Sequence, residues 1–140
     1  MDEIHGAVLR VRLKHLDSEN LRRGHLAARY LTALVNYPIK AQRIRPDATH
    51  VYHQFVCEIE DRDAFRAFLG QRGVGTLIHY PTPVHLQPAF HSRFSSTDLQ
   101  VTETVAKRLV SLPIFPQLDD SGVDFVIEQI RDWFAGEHHD

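Results

Sequence analysis

Two prolines place the tightest constraint on what this chain can fold into. The stretch Gly73-Val74-Gly75-Thr76-Leu77-Ile78-His79-Tyr80-Pro81-Thr82-Pro83-Val84-His85-Leu86-Gln87-Pro88 opens on a glycine that comes after a periodic apolar run, the position at which a helix ends. The next six residues carry β-branched and aromatic side chains and predict a short strand. Pro81 and Pro83 then deny the ladder its N–H donors and force an extended loop. That loop holds His79, Tyr80 and His85 on a stiff backbone. Loops set on a rigid scaffold are where binding residues concentrate, so these three are candidate ligand contacts. The alternative from the residues alone is a proline-bounded turn whose histidines merely pack.

The chain before Gly73 builds toward this loop. Met1 to about Leu16 has helical spacing, with Ile4, Ala7, Val8 and Val11 on one face and Leu9, Leu13 and Leu16 beside it. The apolar surface is wider than one small core requires, which predicts either deep burial or a partner. Asp17 or Ser18 is placed to cap a second helix running through Leu21, Leu26, Tyr30 and Leu34 to Asn36 and Pro38. Arg22, Arg23 and Arg29 are expected on its solvated side. Residues 37–49 have turn chemistry. Val51 to Ile59 reads as a strand covered on two sides, since both of its alternating sets contain apolar residues. Asp61 starts a helix with Ala64, Phe65, Phe68 and Leu69 inward, ending at Gly73.

Beyond Pro88 the chain is mostly helical. His91 to Asp98 is polar and without period. Leu99 to Leu109 returns to helix, with Val101, Val105 and Leu109 on one face. Residues 111–116 form an extended piece pinned by Pro113 and Pro116. A last helix from about Asp119–Ser121 buries Val123, Val126, Ile127, Ile130, Trp133 and Phe134, and residues 136–140 are expected to fray. Strand, helix and strand in succession give an α/β fold: a small sheet of about three strands covered by helices. At 140 residues this is one domain, 1–140, divided into a leading helical segment, 1–36, and an α/β part, 50–135.

Charge and composition exclude several functions. A net charge of −2 with scattered arginines offers no stripe for nucleic acid. No window approaches a membrane span and no leader-type apolar segment opens the chain, so a cytoplasmic location is expected. The single cysteine, Cys57, falls in an apolar strand and reads as a small core residue. Ten histidines raise the question of a metal, yet His50 and His53 point to opposite faces of a strand and no cysteine or acid stands at ligand spacing. No metal site is expected. Ser111 lacks the glycine-flanked elbow of a serine hydrolase.

The segments "GVGTLIHYPTPVHLQPAF" and "VTETVAKRLVSLPIFPQL" resemble the C-terminal part of the DegT/DnrJ/StrS aminotransferases. "MDEIHGAVLRVRLKHLDSENLRRGHLAARY" is similar to the helical segment that leads into that part, and "HVYHQFVCEIEDRDAFRAFLGQRG" to its first strand and helix. These are pyridoxal-phosphate enzymes that aminate keto-sugars, usually linked to nucleotides. The resemblance implies the C-terminal small domain of a fold-type I aminotransferase, with His79, Tyr80 and His85 as substrate contacts at the boundary with a large domain. His85 is the first of these, suited to a sugar hydroxyl or a carboxylate.

The resemblance also marks what to expect missing. Lys14, Lys40 and Lys107 lack the Ser-x-x-x-x-Lys setting of the family's Schiff-base lysine, and neither the phosphate-binding loop nor the acid for the pyridine nitrogen is recognisable. Catalytic and cofactor-binding residues are therefore expected to be none in this chain, pyridoxal phosphate belonging to the full-length family. Met1 falls where the family's segment continues upstream, as though an internal codon served as a start, which implies a truncated gene, a mobile fragment or a deliberately cut piece. The chain departs from the family at His5-Gly6, at Gly24 inside a helix, and at Gln100 where proline is common. The expected partner is a second copy or the missing large domain, with weak nucleotide-sugar binding. The competing reading is a stand-alone interaction module that self-associates or joins a full-length aminotransferase. An unrelated metal-binding domain is the third.

Overall fold

The computed structural model describes residues 2–90, 93 and 98–136. Five helices are described: α1 (Glu3–Leu13), α2 (Leu16–Leu34), α3 (Arg62–Gln71), α4 (Gln100–Arg108) and α5 (Asp120–Ala135). Three strands, β1 (Lys40–Ala41), β2 (Phe55–Glu58) and β3 (Leu109–Leu112), form an antiparallel sheet in the order β1-β2-β3. Phe55 stands opposite Leu112 and Glu58 opposite Leu109, while Lys40 pairs with Glu58. The α/β class and the strand number agree with expectation; the identity of two strands does not.

The run after Gly73 is not a strand. It makes one antiparallel bridge, in which Leu77 and Ser111 exchange both backbone hydrogen bonds at 3.2 and 2.8 Å. The chain then turns into the proline segment, so pairing stops after one residue pair. The third strand comes instead from Lys40–Ala41, inside residues expected to be only a connection. β3 begins at Leu109, where the helical stripe was expected to continue. The strand expected from Val51 to Ile59 shortens to Phe55–Glu58, because Tyr52 takes a positive φ of 48° that breaks the extended run.

One face of the sheet carries the core. Phe55 and Cys57 of β2 and Val110 and Leu112 of β3 are buried with Leu26, Tyr30, Phe65, Leu69, Ile130 and Trp133. Tyr30 stacks at 4.9 Å on Phe55, and its hydroxyl donates to the Pro113 carbonyl at 3.0 Å. Phe65 and Phe68 meet Trp133 edge-on at 5.7 and 5.3 Å. Each such side chain contributes about 1.5–3 kcal/mol through its removal from water. Burial pushes the Cys57 thiol up to about 12, so it stays protonated and inert at neutral pH, as its place in the strand implied.

Gly73 ends α3 as expected, and the reason is visible in the backbone. At φ +80° it occupies the left-handed region that other residues enter at a cost. Its N–H reaches the Gly70 carbonyl at 3.1 Å, and the Val74 N–H reaches Leu69 at 2.9 Å, the paired closure of a Schellman motif. Val74 and Leu69 are both buried, which supplies the apolar contact that accompanies it.

Two expectations for α2 need correcting. Its N-cap is His15, not Asp17 or Ser18; the Ser18 hydroxyl instead donates back to the His15 carbonyl at 2.9 Å. Arg22 and Arg29 do not simply face solvent. Arg22 donates to the Leu118 carbonyl at 2.6 Å and pairs with Asp120 at 2.7 Å, and Arg29 pairs with Asp124 and with Asp120. Arg23 bonds Asn20 and the Val51 carbonyl. The acids on the first turns of α5 draw Arg22 and Arg29 into a clamp between α2 and α5, a pairing that local spacing cannot disclose.

α1 is the exception to this packing. None of its residues is buried, and Ile4, Val8, Leu9, Val11 and Leu13 all stand at half exposure or more. No helix among the described residues is long and apolar enough to cross a membrane.

Candidate functional site

The proline loop leaves the sheet at the Leu77–Ser111 bridge and is held to the rest of the chain by its histidines. His79 Nδ1 hydrogen-bonds Ser111 Oγ at 2.9 Å, and Ser111 is itself buried in β3. His85 sits in a 3-10 turn, Val84–Leu86, made when Pro83 fixes an extended φ/ψ and its carbonyl receives the Leu86 N–H at 3.0 Å. That turn sends the His85 ring inward. It is 7% exposed, with Nε2 3.0 Å from Glu103 Oε1 on the first turn of α4. Tyr80, between the two, is 72% exposed, and its ring meets His79 edge-on at 5.6 Å. Upstream, Arg66 reaches Thr76 through both its hydroxyl and its carbonyl, so α3 steadies the segment that carries the loop.

The three candidate contacts do not share one cavity. His79 borders a hollow of about 320 Å³ with His53, Gln54, Leu77, Ser111 and Phe115. It also borders an adjoining one of about 500 Å³, edged by Lys40, Arg43, Gln54 and Glu58. Both lie against the sheet, the first beside Ser111 and Leu112 and the second beside Val56, Cys57 and Glu58. Tyr80 borders a third, largely apolar groove of about 440 Å³ between the loop and α4, with Pro83, Val84, Val101 and Val105. His85 lines none of the three. A larger hollow of about 740 Å³ lies between α2 and α5 and includes no loop residue.

Of the hollows that the loop borders, the sheet-side two are more polar than the Tyr80 groove. His79 and Gln54 are common to both and offer hydrogen-bonding groups, in the smaller one over a floor of Leu77, Leu112 and Phe115. Around them Glu58 is flanked by Lys40 and Arg108, each at 3.5 Å, and Arg108 also meets Glu60 at 3.1 Å. Lys40 and Arg108 are thus matched by carboxylates. The Ser111–His79 pair orients a ring; among the described residues no carboxylate orients the other side of His79, so the pair lacks the third member of a hydrolytic triad. Among the described residues no three of His, Cys, Asp and Glu are placed to hold a metal ion. His138 and His139, and the polar loop expected at His91 to Asp98 apart from Arg93 and Asp98, lie outside the described residues.

The lysines do not fit a pyridoxal-phosphate site. Lys14 is exposed in the turn between α1 and α2, Lys107 is exposed on α4, and Lys40, which does edge a hollow, is 77% exposed and paired with Glu58. A Schiff-base lysine needs an enclosed amine beside a phosphate cradle, and neither surrounds these three.

Sequence reasoning missed Glu103, Gln54 and the binding partner role of Ser111. Residues 85 and 103 are joined by no local spacing, and Gln54 is one polar residue in an apolar strand. Only the antiparallel register, which brings Ser111 beside Leu77, shows why a serine belongs at that point of β3.

The fold recurs in known proteins. Along 95% of its length the chain is 44% identical to dTDP-3-amino-3,4,6-trideoxy-alpha-D-glucose transaminase of Streptomyces venezuelae. It is 43% identical over 94% of its length to the erythromycin biosynthesis sensory transduction protein EryC1 of Saccharopolyspora erythraea. Among solved structures, S. venezuelae DesV in complex with a ketimine intermediate superposes with a TM-score of 0.91 at 44% identity, over 95% of this chain and 36% of that one. An aminotransferase from Brucella abortus gives 0.87 at 32%, again over 95% and 36%. The chain thus spans about a third of the length of these relatives, 36% of each of the two curated proteins. The profile of the DegT/DnrJ/EryC1/StrS aminotransferases matches residues 1–131, and the chain belongs to that family.

Proposed function

We propose that this chain is the C-terminal part of a pyridoxal-phosphate-dependent aminotransferase acting on nucleotide-linked keto-sugars, that it works in the cytoplasm, and that it does not transaminate alone. The observation that carries this reading is the match along 95% of the chain to 36% of a dTDP-sugar transaminase, and with a TM-score of 0.91 to 36% of DesV. The exposed positions of Lys14, Lys40 and Lys107 support the second half of it. The carbonyl–amine chemistry belongs to a cofactor held elsewhere. This chain's residues bind and orient: His79 presents a ring held by Ser111, Tyr80 an exposed aromatic face for a sugar or base, and His85 a buried polar contact. Half a pocket supplies little affinity, so nucleotide-sugar binding is expected in the millimolar range, about 4 kcal/mol.

The test is absorbance and trapping. Mixed with pyridoxal phosphate, the chain should show no stable internal-aldimine band and no half-transamination. A near-stoichiometric borohydride-trapped adduct on one lysine would overturn the inactive reading. Calorimetry with dTDP-glucose should give millimolar binding weakened by His85→Ala and Tyr80→Ala; micromolar binding abolished by His85→Ala would establish an autonomous site.

A second reading, self-association, is favoured by the unburied apolar residues of α1. Apolar patches larger than a few hundred Å2 find partners. Val8, Val11 and Leu16, at 50, 60 and 42% exposure, are the residues a second copy would cover.

A further inference from the structure

We propose that Glu103 is a positioning residue for the loop histidine and that it decides which hydrogen-bonding atom His85 offers a ligand. His85 and Glu103 are far apart in sequence yet meet at 3.0 Å, Nε2 to Oε1, with the His85 side chain 8% exposed and that of Glu103 36% exposed. An ionised carboxylate only accepts, so the proton of this bond resides on His85 Nε2. In the neutral ring Nδ1 is then the remaining atom, and it carries a lone pair. While its ring is neutral, His85 so held is an acceptor. It suits a hydroxyl or an ammonium group and disfavours a carboxylate or a phosphate, which narrows the ligand class expected from the sequence.

The loop's construction explains why one acid has this authority. Pro81 and Pro83 fix the backbone on one side of the ring, and the 3-10 turn fixes it on the other. Of the loop's side chains, His79 is tied to Ser111 and His85 to Glu103, whereas Tyr80 and Val84 are exposed at 72 and 64%. The His85 ring is thus restrained at the backbone and at Nε2. In His79, by contrast, the partner is a hydroxyl, which donates or accepts, so Ser111 fixes that ring's position without fixing its tautomer.

The ligand-class part of this inference rests on the proposed sugar-binding role of the loop; the tautomer part does not. The experiment is long-range 1H–15N NMR of the full chain, 15N-labelled at histidine, at a pH where the rings are neutral. The expected wild-type result is a single His85 tautomer with the proton on Nε2. Glu103→Gln should keep it, since the amide oxygen still accepts. Glu103→Ala should lose it and give a mixture, while Ser111→Ala leaves the His85 signals in place. The labelled backbone amide shifts of His25 and His53 confirm that the variants fold. A wild-type ring protonated on Nδ1, or one tautomer persisting in Glu103→Ala, would overturn the role of Glu103. Failure of dTDP-glucose to bind would remove the proposed function while leaving the tautomer result intact, so the two readings fail separately.

Discussion

α1 and α2 are separated only by Lys14 and His15, and both carry apolar residues at helical spacing, yet they do opposite things. α2 buries Leu26, Ala27, Tyr30 and Leu34 against the sheet and α5. α1 buries nothing. Their apolar content does not separate them: Ile4, Val8 and Val11 are as regular as Leu26, Tyr30 and Leu34. What separates them is a partner surface. α2 meets an aromatic floor in Phe55 and a row of acids on α5, whereas the α1 face meets neither. Amphipathic periodicity therefore reports that a helix has a face to cover; the cover itself has to be read from elsewhere in the fold.

The comparison breaks most visibly at Tyr30. Removing a buried aromatic side chain costs about 3–5 kcal/mol. Tyr30→Ala should lose that much in urea denaturation, because it also orphans the Pro113 carbonyl. A loss below about 1 kcal/mol would mean that α2 is no better anchored than α1.

The two helices also each contain an interior glycine, which gives a matched pair. A Cβ added at Gly6 or at Gly24 would meet nothing within 4 Å. Alanine is favoured over glycine in a helix by about 1 kcal/mol. Gly24→Ala should raise global stability by about that amount, since α2 forms only with the core. Gly6→Ala should raise the helicity of α1 and leave the unfolding midpoint unchanged. Equal midpoint shifts in the two variants would show α1 folding in one unit with the rest.

The clamp on α2 makes a pH prediction that α1 does not share. His25 at 3.1 Å and Arg22 at 2.7 Å hold the Asp120 carboxyl below its usual range, the histidine hydrogen bond leading. A depressed carboxyl contributes stability that is present above its unfolded value near 3.8 and is lost as pH falls through the lower folded value. The pairs are partly exposed, so the effect is modest and weakens with salt. Asp120→Asn should flatten the acid limb of the stability curve, measured with and without salt. An unchanged limb would mean that the Arg22–His25–Asp120 cluster is not formed in solution.

Legibility tracks the range of the interaction. Gly73, the α5 stripe of Val123, Val126, Ile127, Ile130 and Trp133, and the buried Cys57 are readable because each is set by a few neighbours in sequence. The failures are of two kinds, distant pairings such as that of β1 and local breaks at the prolines, at Tyr52 and at the His15 cap. β1 is a strand because Glu58 and Cys57 lie beside it, and the run after Gly73 stays a single bridge because the prolines cut it short. The site is half readable. His79, Tyr80 and His85 are identifiable as a proline-framed group, but the burial of His85 and the separate cavities of His79 and Tyr80 depend on Glu103 and Ser111, which no motif joins to them.

The smallest expected effect is the sharpest test of what α1 is for. Val8 is 50% exposed near the middle of the helix, and no residue of α1 enters the core. Val8→Asp removes an apolar group from the centre of the exposed face and places a carboxylate there. If α1 has no cover within its own chain, monomer stability should change by no more than about 0.5 kcal/mol, the usual range for a surface site. Association should respond differently. A buried, unpaired carboxylate at a contact between copies is costly, so a dimer seen by sedimentation equilibrium in the unsubstituted chain should shift to monomer. Should the unsubstituted chain sediment as a compact monomer at high concentration, self-association is wrong and the α1 face belongs to a different partner. Should Val8→Asp unfold the chain, α1 is packed after all and the contrast between the two helices fails with it.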